Sequence, residues 1–232
     1  MFIRRLPEFE HHAPATVAET LDLLARLGSQ SRVFAGGTDL FPAMKKREQT
    51  PEHLISLKGI SSLKGISLDD GGMRIGALAT LGDIERSQLV RQHLPMLWHA
   101  VQVMASPQIR TLGTIGGNIC SAVPSADTAP PLIALQASVK LLGVGSERSV
   151  PVEDFFTGPK ESVLREDEIL TEILIPMPPA RGGGVYLKLM RRNAMELALV
   201  GVAAYLALDE TLTICEEARI ALGAVAPTPI RA

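Results

Sequence analysis

Two short segments, each built around a pair of glycines, constrain what this chain can fold into more than any other feature. Residues 35–39 read AGGTD and residues 114–118 read TIGGN. Glycine reaches positive φ at little cost and lets a backbone approach a ligand without an intervening Cβ. Consecutive N–H groups in such a turn form a concavity that suits a phosphate. We therefore expect two glycine turns that form two walls of one diphosphate site.

The composition is that of a globular protein with few special features. The chain has 232 residues, of which 46% are hydrophobic and 21% charged, so it can bury a substantial core without a metal or a disulfide. Its formal net charge of -2 provides no basic face for nucleic acid. It has two cysteines, no apolar stretch long enough to span a bilayer and no signal-peptide pattern. We therefore expect a cytoplasmic protein with no nucleic-acid partner and no membrane insertion.

The first 57 residues predict a unit with a small parallel sheet. A capping-box pattern at Thr16 and Glu19 begins a helix whose apolar residues recur at helical spacing. A short buried strand, a glycine turn, a brief helix and a second strand follow, an order typical of parallel strands joined by a helix. The predicted elements are the helix that Gly28 ends, strands at residues 32–35 and 54–57, and a helix through Lys46 capped by Thr38 or Asp39.

Residues 58–176 predict a second, larger unit with a mixed or antiparallel sheet and several helices. Thr80 and Asp83 repeat the capping pattern, and Pro95 stands at the first turn of a helix. The predicted elements are strands at residues 73–77, 139–142, 148–152 and 169–175 and helices at residues 95–105 and 130–137, with the second glycine turn between the helices.

Residues 177–232 predict an antiparallel sheet. The prolines of residues 176–179 and the glycines of residues 182–184 form the best candidate linker in the chain. Beyond them, three apolar runs, the second of them at residues 197–208, fit a three-stranded meander, although this middle run also fits a helix. No helix then remains to cover a face of the sheet, so we expect this third unit to be incomplete.

The usual signatures of a self-sufficient enzyme are missing from the sequence. It has no Rossmann glycine motif, no phosphate-binding lysine loop and no zinc-binding histidine or cysteine motif. The five histidines, at positions 11, 12, 53, 93 and 99, are scattered, which favours surface or packing roles over metal ligation. Cys120 lies among small residues and is expected to be packed. These features favour a protein that holds a ligand, with no catalytic residue and no metal site of its own.

Two longer segments carry a resemblance to a known family. Residues 33–45, VFAGGTDLFPAMK, and residues 110–127, RTLGTIGGNICSAVPSAD, resemble the FAD-binding medium subunit of molybdenum hydroxylases. That family includes the flavin subunits of xanthine dehydrogenases, carbon monoxide dehydrogenases and 4-hydroxybenzoyl-CoA reductases. The similarity continues through residues 164–170 and 186–188 and into residues 222–229, so it covers essentially the whole chain in the expected order.

The resemblance implies an α+β fold with a two-subdomain FAD-binding module followed by a smaller antiparallel-sheet domain. Domain boundaries are then expected at residues 1–57, 58–176 and 177–232. Because the family's third domain continues past the turn that ends this chain, the chain resembles a truncated subunit. FAD is the implied cofactor. The residues that the resemblance assigns to it are Val33, Phe34, Ala35, Gly36, Gly37, Thr38, Asp39, Leu40, Met104, Thr114, Ile115, Gly116, Gly117, Asn118, Asp127, Leu170 and Lys188.

The resemblance also implies roles within this set. The backbone of residues 33–40 is expected on one side of the diphosphate and that of residues 114–118 on the other. Asp127 matches an aspartate that hydrogen-bonds the sugar-like part of the cofactor, and otherwise it caps the following helix. Lys188 matches a lysine near the flavin or its diphosphate, and otherwise it is a solvated strand lysine. Leu170 and Met104 match apolar cofactor contacts, and otherwise both belong to the core.

By the same resemblance, the chain is an electron-transfer oxidoreductase subunit in a complex. A large subunit would hold molybdopterin and oxidise the substrate, and a small subunit would hold [2Fe–2S] clusters. Electrons would pass through FAD, which exchanges them singly or in pairs, to a nicotinamide, a quinone or a ferredoxin. The competing hypotheses are a stand-alone flavin reductase or oxidase of the same fold and a cofactor-free assembly protein.

Two departures from the family pattern narrow the expected activity. The flavin subunit of 4-hydroxybenzoyl-CoA reductase carries a cysteine-rich insert for an extra iron–sulfur cluster. Residues 118–127 contain only Cys120 and have no room for that insert. Residues 191–196 follow the family's basic strand end only loosely, which weighs against a nicotinamide-binding role for that region.

Overall fold

Three main sheets follow one another along the chain, and helices pack between them. The computed structural model describes residues 5–192 and 194–232. Within these residues the first sheet is parallel, the second and third are antiparallel, and a short two-stranded ribbon accompanies the second. The predicted α+β fold class is therefore confirmed. None of the helices in the described ranges combines the length and apolar character needed to cross a membrane.

The first sheet is built by a strand–helix–strand–helix–strand segment. Its elements are β1 (Glu10–His12), α1 (Val17–Leu27), β2 (Ser31–Phe34), α2 (Leu40–Lys46) and β3 (His53–Ser56). The strand order is β1-β3-β2, and both pairings are parallel because a helix follows each of the first two strands. The Thr16 hydroxyl accepts a hydrogen bond from the Glu19 N–H at 3.1 Å, as the capping pattern predicts. The Glu19 carboxylate accepts from the Ala15 N–H, one residue earlier than the full capping box requires.

The second sheet is larger and has the strand order β4-β5-β10-β6-β7. Its strands and helices, in chain order, are β4 (Ile66–Asp69), β5 (Gly72–Gly76), α3 (Leu81–Arg86), α4 (Gln88–His93), α5 (Pro95–Gln102), α6 (Pro107–Arg110), α7 (Ile115–Cys120), α8 (Ala129–Ala134), β6 (Ser138–Gly143), β7 (Ser146–Pro151), α9 (Val152–Phe155), β8 (Phe156–Gly158), β9 (Glu161–Ser162) and β10 (Ile169–Ile175). The capping box of Thr80 and Asp83 is complete, with both hydrogen bonds at 3.0 Å. The main hydrophobic core lies between this sheet and its helices.

The second glycine segment is a helix start and not a turn. Gly116 and Gly117 lie in the first turn of α7 and have ordinary negative φ values. The hydroxyl of Thr114, at the N-cap position, accepts a hydrogen bond from the Gly117 N–H at 3.1 Å. A threonine in this position satisfies the first donors of a helix, so the glycine pair follows the helical path. The predicted turn at this position is therefore wrong.

The third sheet is antiparallel, with the order β11-β12-β13-β14. Its strands are β11 (Gly182–Leu189), β12 (Val200–Leu208), β13 (Cys215–Gly223) and β14 (Ile230–Arg231). The middle apolar run therefore forms a strand and not a helix. The glycines of residues 182–184 begin β11, so their prediction as a linker is wrong. A Cβ on Gly182 would overlap the hydroxyl of Tyr205 on β12, which explains why a glycine stands there.

Helices of the second unit cover one face of the third sheet. Helix α5 packs against β11, and α8 packs against β12 and β13. The prediction that no helix is left for this sheet is therefore wrong for this face, because the covering helices come from earlier in the chain. This packing brings β11 next to the segments that line the cleft described below.

Candidate cofactor-binding site

A cleft of about 420 Å³ separates the first glycine segment from the second. Residues 33–40, between β2 and α2, line one side and are called here the first wall. Thr114, Gly117 and Asn118, at the start of α7, line the opposite side and belong to the second wall, residues 114–118. The volume is within the range of small-ligand sites. The two glycine segments therefore face one cleft although 80 positions separate their first glycines, Gly36 and Gly116.

The first wall presents a row of unused backbone donors. The N–H groups of Gly36, Gly37, Thr38 and Asp39 donate to no acceptor among residues 5–192 and 194–232. Gly37 has a φ of +72°, a conformation that glycine adopts without strain. Successive N–H groups around such a residue form an anion-binding concavity. The first wall therefore has the donor set that a diphosphate requires.

The second wall has no comparable row of donors, because the N–H groups of residues 115–118 are used within the protein. They donate as follows: Ile115 to Ala79 O at 3.0 Å, Gly116 to Ala77 O at 3.0 Å, Gly117 to Thr114 Oγ1 at 3.1 Å and Asn118 to Thr114 O at 2.9 Å. The expectation that these amides point at a ligand is therefore wrong. The reason is that the segment forms a capped helix packed against the end of β5. The segment presents to the cleft the bare Cα of Gly117 and the polar side chains of Thr114 and Asn118.

One side-chain hydrogen bond joins the first wall to the segment that follows the second wall. The hydroxyl of Ser121, just after α7, donates to the Asp39 carboxylate at 2.7 Å. Asp39 occupies the N-cap position of α2 but makes no capping hydrogen bond there, so its carboxylate serves the other wall. On the second wall, the Thr128 hydroxyl donates to the side-chain oxygen of Asn118 at 2.5 Å.

A buried carboxylate with two donors lies at the edge of the cleft. Asp127 accepts hydrogen bonds from the Tyr186 hydroxyl at 2.7 Å and from the Lys188 ammonium at 2.8 Å. The side chains of Asp127 and Lys188 are only 7% and 2% exposed, so water barely screens this ion pair. Burial raises the pKa of Asp127 above its usual value, and the hydrogen bonds from Lys188 and Tyr186 act in the opposite direction. Both donors lie on β11, so the third sheet supplies the counterion for this carboxylate.

Most of the residues that the resemblance assigned to the cofactor line the cleft, and four do not. Ile115 and Gly116 are buried in α7, and Leu170 is a core residue of β10. Lys188 does not line the cleft and reaches it through Asp127. Cys120 is also packed, and burial raises the pKa of its thiol to about 12.

Further lining residues were not found by sequence reasoning. They come from loops and helix ends of the second and third units and form no motif. They are Leu81, Ala105, Ser106, Ile109, Gly113, Ser121, Val123, Ser125, Ala126, Met195, Glu196 and Leu197. Most of them lie near helix starts and ends, whereas Met195, Glu196 and Leu197 lie between β11 and β12, and a single sequence does not connect these places to one cleft.

The charges of the lining indicate that different groups would hold different parts of a ligand. Of the described residues that line the cleft, none is a lysine or an arginine, and three are acidic: Asp39, Asp127 and Glu196. An anionic group must therefore be held by backbone N–H groups, whereas carboxylates suit hydroxyl groups. Apolar side chains, including Leu81 and Met104, provide a surface for a flat ring system. Diphosphate, polyhydroxyl chain and ring are the parts of FAD, so these residues fit that cofactor.

Comparisons with known protein families agree with this geometry. Residues 7–178 match the model of the FAD binding domain in molybdopterin dehydrogenase, and residues 185–232 match the CO dehydrogenase flavoprotein C-terminal domain. The carbon monoxide dehydrogenase medium chain of Hydrogenophaga pseudoflava is 38% identical over 225 residues, which are 97% of this chain and 77% of that protein. The xanthine dehydrogenase FAD-binding subunit of Escherichia coli O157:H7 is 36% identical over 223 residues, 95% of this chain and 75% of that protein.

Solved structures show the same relationship. The structure of carbon monoxide dehydrogenase from Hydrogenophaga pseudoflava superposes with a TM-score of 0.94 at 38% identity and covers 98% of this chain and 78% of that one. Quinoline 2-oxidoreductase from Pseudomonas putida 86 superposes with a TM-score of 0.91 at 30% identity, over 98% of this chain and 78% of the other. The chain thus belongs to the family of FAD-binding subunits of molybdenum-containing oxidoreductases, the carbon monoxide dehydrogenase and xanthine dehydrogenase family.

Proposed function

We propose that this chain holds FAD in the cleft and carries electrons from an iron–sulfur partner subunit to an external acceptor. In this proposal a large molybdopterin-binding subunit oxidises the substrate, and a small subunit holds the [2Fe–2S] clusters. The acceptor is a nicotinamide, a quinone or a ferredoxin. Bound FAD supplies the redox chemistry, because a flavin exchanges electrons singly or in pairs. Family membership supports the assignment, and the free N–H groups of the first wall carry it.

The first wall would hold the diphosphate. The N–H groups of residues 36–39 form a consecutive row of unused backbone donors in the cleft, and among the described lining residues no lysine or arginine competes for this role. Hydrogen bonds from N–H groups to phosphate are charge-assisted and roughly twice as strong as neutral ones. The bare Cα of Gly117 would face the same group from the second wall and leave space for it.

Asp127 would bind hydroxyl groups of the sugar-like part of FAD. An ionised carboxylate is an acceptor only, so it needs donors, and Tyr186 and Lys188 supply two of them from behind. Lys188 is therefore proposed to act on the cofactor through Asp127, by keeping this carboxylate charged. Leu170, Ile115 and Gly116 contribute packing behind the site in this proposal.

The test uses Gly117→Val in the full chain. Thr114 Oγ1, at 3.0 Å, is the sole neighbour that a Cβ on Gly117 would meet within 4 Å in the described part of the chain, so added bulk projects into the cleft. We expect FAD affinity, measured by titration of flavin fluorescence, to fall at least about tenfold, which is 1.4 kcal/mol. The matched control is Gly183→Val, since a Cβ on Gly183 meets nothing within 4 Å.

The outcomes separate cofactor binding from electron transfer. Equal FAD affinity in Gly117→Val and wild type, with both folded by circular dichroism, would contradict the assignment of the cleft. In the assembled complex, the variant should still show substrate-dependent reduction of the iron–sulfur clusters and should lose reduction of the acceptor. Undiminished acceptor reduction without flavin would contradict the proposed electron path.

A further inference from the structure

Two histidines and a glutamate face one another on the first sheet. Glu10 and His12 are two residues apart on β1, so their side chains lie on the same face of the strand. His53 begins β3 and is the register partner of Glu10 in the parallel pair. The three side chains therefore meet on one face of the sheet, and none of the three lines the cleft.

The distances within this cluster match the spacing of metal ligands. His12 Nε2 and His53 Nδ1 are 3.2 Å apart, and the Glu10 carboxylate oxygens lie 3.7 Å from the first nitrogen and 3.4 Å from the second. Two imidazole nitrogens that bind zinc at 2.0–2.1 Å with tetrahedral geometry are separated by about 3.3 Å. One cation therefore reaches all three ligand atoms without a change in the strands.

Packing pre-orients the two imidazoles and leaves the carboxylate accessible. The side chains of His12 and His53 are 18% and 19% exposed, whereas that of Glu10 is 66% exposed. Their ring centroids are 5.2 Å apart with an interplanar angle of 45°. Half-buried rings lose little conformational freedom when they bind an ion, and the exposed side gives the ion and a water molecule access from solvent.

We propose that Glu10, His12 and His53 form a binding site for one Zn²⁺ ion. Two imidazoles and one carboxylate are a ligand set for zinc and related transition metals, whereas magnesium and calcium prefer oxygen ligands. Three protein ligands leave a fourth position for water. The ion would join the edge strand β1 to β3, the central strand of the sheet whose other neighbour, β2, leads into the first wall.

The test measures metal binding to the full chain by titration calorimetry with ZnCl₂ and by the visible spectrum of the Co²⁺ form. We expect one Zn²⁺ per chain and a Co²⁺ spectrum of low coordination number. His53→Gln and Glu10→Gln should each weaken binding at least about tenfold, the lower end of what is lost when groups supporting a metal are removed. His99→Gln, an exposed histidine on α5, is the matched control and should bind as wild type does.

A second readout does not depend on the flavin site. A ligand that binds the folded chain alone raises its thermal midpoint, so saturating Zn²⁺ should raise that of wild type and of His99→Gln but not that of His53→Gln. The proposal is overturned if wild type binds Zn²⁺ no more tightly than His53→Gln. It is equally overturned if His99→Gln loses as much affinity as Glu10→Gln does.

Discussion

The two walls of the cleft contain the same glycine pair and use it in different ways. In the first wall the pair comes just after a strand, Gly37 has a positive φ, and four consecutive N–H groups find no acceptor in the described parts of the chain. In the second wall the pair comes one residue after Thr114, the N-cap of α7, and the N–H groups of both glycines donate within the protein. A dipeptide therefore does not define a phosphate turn by itself. The local backbone path, a turn after β2 or a capped helix, decides whether its donors remain available.

The reasons for glycine also differ between the positions. A Cβ on Gly36 would overlap the carbonyl oxygen of Leu112, and one on Gly116 would lie 2.7 Å from the carbonyl oxygen of Ala77. One glycine of each pair is therefore required by close packing within the protein. Gly37 is required by its backbone conformation, whereas a Cβ on Gly117 would meet the Thr114 hydroxyl at 3.0 Å and no backbone atom within 4 Å outside its own helix and neighbours in the described part of the chain. This difference makes Gly117 the position where the effect of a ligand can be separated from that of the fold.

The largest expected effect concerns Asp127, the buried carboxylate at the edge of the cleft, which depends on the third sheet. Lys188→Met removes the ammonium that neutralises the buried Asp127, with a separation of 2.8 Å in wild type. Leaving one partner of a buried ion pair uncompensated costs about 3–5 kcal/mol. We expect this loss in the free energy of unfolding at neutral pH, measured by urea denaturation. Residues 33–40, as the structure describes them, have no such ion pair, so we expect no comparable loss of unfolding free energy when side chains of the first wall are substituted.

The pH dependence of that variant identifies the cause. Burial already raises the pKa of Asp127 from its usual 3.8, and loss of the ammonium raises it further. A carboxyl whose folded pKa exceeds the unfolded value favours folding when protonated, and this contribution is lost as pH rises through the folded pKa. The deficit of Lys188→Met should therefore shrink as pH falls from 7 toward 4. The double variant with Asp127→Asn should recover part of the stability, and a pH-independent deficit would contradict this explanation.

A smaller effect is expected for Gly37→Ala in the first wall. A residue with a Cβ pays about 1–2 kcal/mol for a left-handed conformation, and the new Cβ would also overlap the Phe41 ring. Gly145→Ala is the matched control, because Gly145 has a φ of +68° and no neighbour within 4 Å of a Cβ. The difference between the two losses of unfolding free energy measures the Phe41 contact. Equal losses would show that conformation alone requires glycine at position 37.

The smallest effect is expected for Thr114→Val, which keeps the shape of the side chain and removes the hydroxyl. The Gly117 N–H then loses its acceptor, which costs about 1 kcal/mol for a helix N-cap. Asp39→Asn is the control in the first wall, because Asp39 makes no capping hydrogen bond in α2. Its unfolding free energy should change by less than about 0.5 kcal/mol. A reversed order of the two effects would contradict the contrast between the walls.

Local features of this fold were predictable from the sequence because they depend on neighbouring residues. The capping hydrogen bonds at Thr16 and Thr80 and the strand at residues 169–175 follow from short-range patterns. The prediction that the glycines of residues 182–184 belong to a linker was wrong, because they begin β11 and two of them, Gly182 and Gly184, lie against Tyr205, a contact that only the sheet register creates.

Much of the candidate site depends on contacts between distant residues. The lysine that balances Asp127 is 61 positions away, and the histidine that faces His12 is 41 positions away. A scattered set of histidines gives no sign of such a cluster until parallel pairing brings two strands together. The sequence predicted free N–H groups at both glycine pairs, but it did not show that only the first wall keeps them, because this depends on which acceptors approach them in the fold.

The ion pair between Asp127 and Lys188 has a consequence for the order in which the site is built during translation. Ribosomes add about 5–20 residues per second, so the lysine emerges about 3–12 s after the aspartate. During that interval a nascent chain can form both walls but has no cation to neutralise the carboxylate between them. Synthesis of β11 is thus the step that supplies the cation for Asp127. A premature stop before β11 leaves a pocket in which Asp127 favours its protonated form over the carboxylate that accepts from hydroxyl groups.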